Sequence, residues 1–175
     1  MERREITIPG DASHGDLASP AFAIVPSGAS RGIVVIHEIF GRAPEIDRVV
    51  ERFAARGYAS VAPDLFFRGK LPCIRAVFRT MKSGESTWPI RQAERARAWL
   101  CAESGVPVEK VGIIGFCFGG MFALAAGRGF GAVSANYGDN PSTEAMRGIG
   151  PVIACYGGRD RIYGERKGAR LTERL

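Results

Sequence analysis

Histidine is nearly absent from this chain: its 175 residues include only His14 and His37. Any chemistry that needs a histidine base must use one of these two. Cysteine is also sparse. Cys73, Cys101, Cys117 and Cys155 show no C-x-x-C spacing, which argues against a zinc site or a redox pair. The chain has neither G-x-G-x-x-G nor G-K-[ST], so support for a nucleotide-phosphate loop is weak. No apolar run approaches the ~20 residues of a membrane span. The charged start, Met1-Glu2-Arg3-Arg4-Glu5, lacks the apolar stretch of a signal peptide, and the resulting expectation is a cytoplasmic protein with no membrane partner. The net charge is +6, but the arginines are scattered without interleaved aromatics. That pattern argues against a nucleic-acid partner and is equally compatible with small anionic substrates.

What is present reads as one domain, residues 1–175. A chain that is 46% hydrophobic and 24% charged is globular in composition and long enough to bury a substantial core. Glu5–Ile8 alternates like an edge strand, and 21–25 forms a second strand after a Gly/Asp/Ser turn. Gly32–Ile36 is a continuous apolar run, as expected for a strand buried on both faces. Pro44 opens a helix whose apolar face holds Ile46, Val49, Val50 and Phe53, with Gly57 at its end. Further strands are expected at 58–62, 111–114, 132–136 and 152–156. Helices are expected from Pro89 to about Glu103, after the elbow to about Arg128, and from about Gly164 onward. The stretch 65–87 reads as an irregular excursion over the sheet edge with a short helix near 74–81. Helices alternating with buried strands imply an α/β fold: a mainly parallel sheet covered by helices on both sides. On this reading Cys155 is a buried small hydrophobe, Cys101 ends a helix and Cys73 lies in a loop-like region.

The most informative segment is Gly115-Phe116-Cys117-Phe118-Gly119-Gly120, between an apolar strand and a helix-like stretch. Strand, sharp turn and helix in this order match the G-x-S-x-G nucleophile elbow with cysteine in place of serine. Cys117 is therefore the candidate nucleophile; the plainer alternative is a buried cysteine among glycines needed for close packing. An elbow of this kind draws one oxyanion donor from the residue after the nucleophile, Phe118. It draws the other from the loop after the third strand, His37-Glu38-Ile39-Phe40-Gly41, where Ile39 is the candidate. Glu38 on that loop is either an ordinary solvated glutamate or a carboxylate facing the thiol. Asp160, after a strand and Gly157-Gly158, is either a turn aspartate or the acid of a triad. His37 reads as a packing or hydrogen-bonding residue and His14 as solvated. Neither stands after the acid, where the base of such a triad belongs.

Together, His37-Glu38-Ile39-Phe40-Gly41, Ala62-Pro63-Asp64-Leu65, the Cys117 elbow and Tyr156-Gly157-Gly158-Arg159-Asp160 resemble the dienelactone hydrolase (carboxymethylenebutenolidase) family of the α/β-hydrolase fold. The resemblance runs from about Ile6 to Leu175. It implies a hydrolase of lactones or carboxylic esters acting through an acyl-enzyme, with no metal or organic cofactor. By resemblance, Cys117 is the nucleophile, Asp160 the acid, Ile39 and Phe118 the oxyanion donors, and Glu38 the glutamate that holds the resting thiol. The family's histidine lies beyond one more helix and strand, so the chain reads as C-terminally shortened, with its last strand and helix missing and its turnover impaired. Arg68, Arg75 and Arg79 are the only candidates here for the arginine that binds a substrate carboxylate. An exposed sheet edge would bring lower stability or self-association. The competing expectation is a non-catalytic member of the fold that binds a small anion or a protein.

Overall fold

The computed structural model describes residues 2–175. Seven strands form one sheet: β1 (Arg3–Ile8), β2 (Ser19–Ile24), β3 (Arg31–Ile36), β4 (Tyr58–Pro63), β5 (Val111–Phe116), β6 (Val133–Asn136) and β7 (Val152–Cys155). Their order is β1-β2-β4-β3-β5-β6-β7. β1 and β2 are antiparallel to their neighbours, and β4, β3, β5, β6 and β7 run parallel. The five helices are α1 (Pro44–Ala54), α2 (Lys70–Ser83), α3 (Trp88–Ser104), α4 (Phe118–Ala126) and α5 (Glu165–Arg174). No helix among the described residues is long and apolar enough to cross a membrane.

The two faces of the sheet are unequally covered. On one side, Cys73 and Val77 of α2, Ile90 and Ala93 of α3, Phe122 of α4 and Leu171 of α5 pack on Val34, Val61, Ile113, Val133 and Ala135. On the other side, α1 alone packs Ile46, Val50 and Ala54 on Phe22, Ile24, Ile33 and Val35. The parallel strands beyond β3 are bare on that side. β5 alternates buried Val111, Ile113 and Gly115 with half-buried Gly112, Ile114 and Phe116. β6 repeats the pattern, and at the β7 edge Ile153 is 65% exposed. Leaving an isoleucine in water forgoes about 1.5–3 kcal/mol that burial would supply.

The sheet and helix order agree with the expected α/β architecture, but several particulars differ. Coverage on both sides holds only from β2 to β3. Cys155 is exposed, not buried, because β7 has a strand on one flank only and no helix over its α1 side. The excursion is mostly the 14-residue helix α2, which places Cys73 on a helix, fully buried, with burial pushing its thiol up to about 12. Near the N-terminus, Asp16 is buried under Arg91 and Arg95. Arg91 reaches both of its carboxylate oxygens, at 2.7 and 2.8 Å, which pins the loop between β1 and β2 to α3.

Candidate active site

The carboxyl ends of β3, β4, β5, β6 and β7 lie along one edge of the sheet, the usual place for a site in an open α/β fold. β5 ends at Phe116 and α4 begins at Phe118, so Cys117 makes the whole turn. It has φ 54° and ψ −113°, a left-handed backbone that is strained for a residue with a side chain. Crowding holds that strain in place. A Cβ on Gly119 would lie 2.5 Å from the carbonyl oxygen of Ile36 at the end of β3, and one on Gly120 would lie 2.2 Å from that of Tyr137 after β6. The turn is thus clamped between two strands, and only glycine allows that approach. The Cys117 N–H donates to Asn136 at 3.0 Å, and the Cys117 carbonyl accepts from Gly120 at 3.0 Å.

His37 lies fully buried beneath the next loop. The Leu65 N–H donates to its Nε2 at 3.1 Å, so Nε2 carries no proton. Nδ1 does, and donates to the Glu38 carbonyl at 2.7 Å. Burial depresses its pKa and keeps the ring neutral. Both ring nitrogens are committed to backbone groups, so this histidine ties β3, the Glu38 turn and the start of the Leu65 segment together and does not serve as a base. The Glu38 carbonyl also accepts from Gly41 at 3.1 Å, closing the turn. Among the described residues, neither the Ile39 N–H nor the Phe118 N–H donates to any backbone or side-chain acceptor. The Phe118 N–H is one of the unpaired donors at the start of α4.

Glu38 is half-buried and accepts a hydrogen bond from the Tyr137 hydroxyl at 2.9 Å. Tyr137 follows β6 and is the only residue besides Cys117 and the glycines with positive φ, 45°, among the described residues. Burial, the Glu38 hydrogen bond, the Glu38 charge and the charge of Cys117 together push its phenol up to about 12. The phenol therefore stays protonated, and a donor, at neutral pH. Sequence reasoning missed this residue; its signal was the Tyr137-Gly138 pair just past a strand end at the sheet's carboxyl edge. Tyr163, half-buried before α5, also has a raised pKa, first through burial and then through the charge of Cys117.

Asp160 lies in the turn after β7 and is exposed. Its Oδ1 accepts from the backbone N–H groups of Ile162 at 2.8 Å and Tyr163 at 2.9 Å, which hold its pKa below the usual carboxylate range. It makes no hydrogen bond to Cys117, Glu38 or either histidine among the described residues. Cys117 and Phe118 thus stand at the elbow, Glu38 and Ile39 on the loop after β3 that Tyr137 bonds to the end of β6, and Asp160 in the exposed turn after β7. Arg68 stacks over Trp88 with 5.3 Å from its guanidinium to the ring centroid. Arg75 and Arg79 line a groove of about 350 Å³ between α2 and the start of α3, where Arg79 pairs with Glu85 at 3.9 Å. None of the three bonds to a group at the elbow. His14 sits in the β1–β2 loop with its Nδ1 2.9 Å from Asp11.

The family model described as "Dienelactone hydrolase family" matches residues 20–175. A "putative carboxymethylenebutenolidase" of Salmonella typhimurium is 29% identical over 170 residues, covering 85% of this chain and 62% of the relative. A protein of the same name from Yersinia pestis is 30% identical over 178 residues, covering 89% of this chain and 65% of the relative. The chain therefore spans less than two thirds of the length of either. Among solved structures, the "putative dienelactone hydrolase" of Klebsiella pneumoniae superposes with a TM-score of 0.78 at 21% identity. That match covers 99% of this chain and 80% of the other.

Proposed function

This chain belongs to the dienelactone hydrolase family, and from that premise we propose that it attacks small carboxylic esters or lactones with Cys117. The observation that carries this reading is the left-handed backbone of Cys117 at the top of β5, followed at once by the start of a helix. Strain of that kind costs on the order of 1–3 kcal/mol, persists only where the surrounding structure enforces it, and clusters at active sites.

On this reading the Cys117 thiol passes its proton to Glu38, whose orientation Tyr137 fixes. The thiolate attacks the substrate carbonyl carbon, and the C=O electron pair moves onto oxygen. That oxyanion is met by the Ile39 and Phe118 N–H groups, which have no other acceptor. Collapse breaks the ester C–O bond, and the leaving oxygen takes the proton back from Glu38. A thioester at Cys117 remains, and for a lactone the opened ring stays attached through it. Water must then hydrolyse the thioester. His37 has no free nitrogen to activate that water, and His14 is held in the β1–β2 loop. We therefore expect these 175 residues to acylate readily and deacylate slowly, with Asp160 left without a histidine to orient.

The test is a stopped-flow reaction with p-nitrophenyl acetate. The expected trace is a burst of about one equivalent followed by a stall, with a mass increase of one acetyl group on Cys117. Steady turnover by Cys117→Ala equal to that of the unsubstituted chain would rule out the nucleophile. A second reading is a non-catalytic fold member that binds a small anion or a protein: Asp160 spends its Oδ1 on backbone N–H groups and meets no histidine among the described residues. Iodoacetamide separates the two: fast, ester-protected alkylation of Cys117 alone supports the enzyme, and four comparably slow thiols support the binder.

A further inference from the structure

The turn after β7 and the first half of α5 bring four arginines to one recess. A recess of about 540 Å³ is lined by Arg159, Arg161, Arg166 and Arg170, with Asp160 and Glu165 as its only carboxylates. Elsewhere most arginines have an acceptor. Arg42 pairs with Glu5 and Asp47, Arg91 and Arg95 with Asp16, and Arg147 with Glu144. Arg97, Arg128 and Arg174 donate to backbone carbonyls. The four arginines of the recess make no ion pair and no side-chain hydrogen bond among the described residues, although carboxylates stand beside them. Asp160 gives one oxygen to backbone N–H groups. Lys167, also on the wall, is paired with Asp139 outside it.

We infer that this recess is a binding site for a phosphoryl-bearing small molecule. Four guanidinium charges against two carboxylates leave the lining net positive, and a concave wall concentrates that field. One ligand carboxylate satisfies a single guanidinium in a two-pronged contact and leaves the lining's remaining positive charge unmatched. A phosphoryl group offers three acceptor oxygens and up to two charges, and a diphosphate offers more, so it matches the number of donors. The inference does not depend on Cys117 acting as a nucleophile. Asp160 on its wall and Cys117 at the elbow both lie within electrostatic reach of Tyr163.

The experiment is calorimetric titration of the full chain with inorganic pyrophosphate at low, matched ionic strength. Saturable binding to one site is expected, weakening as salt is added. The Arg161→Gln/Arg166→Gln/Arg170→Gln variant is expected to bind at least about tenfold more weakly. Its thermal unfolding should be unchanged, since these side chains make no internal polar contact. Arg52→Gln, which removes an exposed charge on α1, is expected to bind as the unsubstituted chain does, as is Cys117→Ala. Succinate is expected to bind at least about tenfold more weakly than pyrophosphate. The proposal falls if pyrophosphate binds no better than chloride at equal ionic strength. It also falls if the triple variant binds equally well, if Arg52→Gln weakens binding as much as the triple variant does, or if succinate matches pyrophosphate.

Discussion

The carboxyl edge of the sheet has two halves built on opposite plans. Around β3, β5 and β6, backbone presses on backbone: Gly119 lies against Ile36, Gly120 against Tyr137, and buried His37 is bonded through both ring nitrogens. Around β7 and α5, an edge strand of exposed residues leads into an exposed turn, and α5 buries only Leu171. On the proposed reading, the groups that need fixed positions, the thiol and the two N–H donors, stand in the crowded half. The groups proposed to act through charge, Asp160 and the arginine recess, stand in the open half. Positional accuracy needs close packing; long-range attraction does not.

The largest effect should come from a single methyl group in the crowded half. Gly119→Ala would force a carbon to within 2.5 Å of the Ile36 oxygen and is expected to cost about 3 kcal/mol or more. For a chain of this length that lowers Tm by roughly 6–12 °C. A loss below about 2 °C would mean that the turn is not clamped. In the opposite direction, Cys117→Gly should relieve the left-handed strain and gain about 1 kcal/mol, net of the glycine's own entropy cost, while abolishing the acylation burst. If that variant unfolds earlier than the parent, the elbow stores no strain. Tyr137→Phe keeps the ring and removes the hydrogen bond to Glu38, so denaturant unfolding should show a loss of about 1 kcal/mol. In the open half, Ile153→Lys should shift stability by less than about 0.5 kcal/mol. By charging the β7 edge it should also suppress any concentration-dependent association seen in sedimentation velocity. A large stability loss there would show that β7 is packed as tightly as β5.

The same division governs what could be read from sequence. The elbow was legible because its constraints are local: an apolar strand, small residues at fixed intervals and a helix-like run. The Glu38 loop was legible because it follows a continuous apolar run, Gly32–Ile36. α2 was obscured because its buried stripe, Cys73, Val77 and Met81, is narrow, and Leu71 and Phe78 place apolar side chains on its exposed side. The exposure of Cys155 was not legible because Val152-Ile153-Ala154-Cys155 has the same composition whether or not a helix covers it. Tyr137 escaped notice because its role depends on meeting Glu38, which is 99 positions away in the chain. The arginine recess escaped for a similar reason: scattered basic residues become a site only when a turn and a helix end fold them around one concavity.

The contacts of Gly119 and Gly120 carry a consequence for how the protein is made. The turn that sets Cys117 at the head of α4 closes only against β3 on one side and the end of β6 on the other, and those strands lie far apart along the chain. A nascent polypeptide therefore carries Cys117 as an ordinary thiol, without the oriented N–H groups that would stabilise a product of its attack. On the proposed mechanism, reactivity switches on with assembly of the central strands, so the rate of thiol labelling during refolding serves as a clock for that assembly.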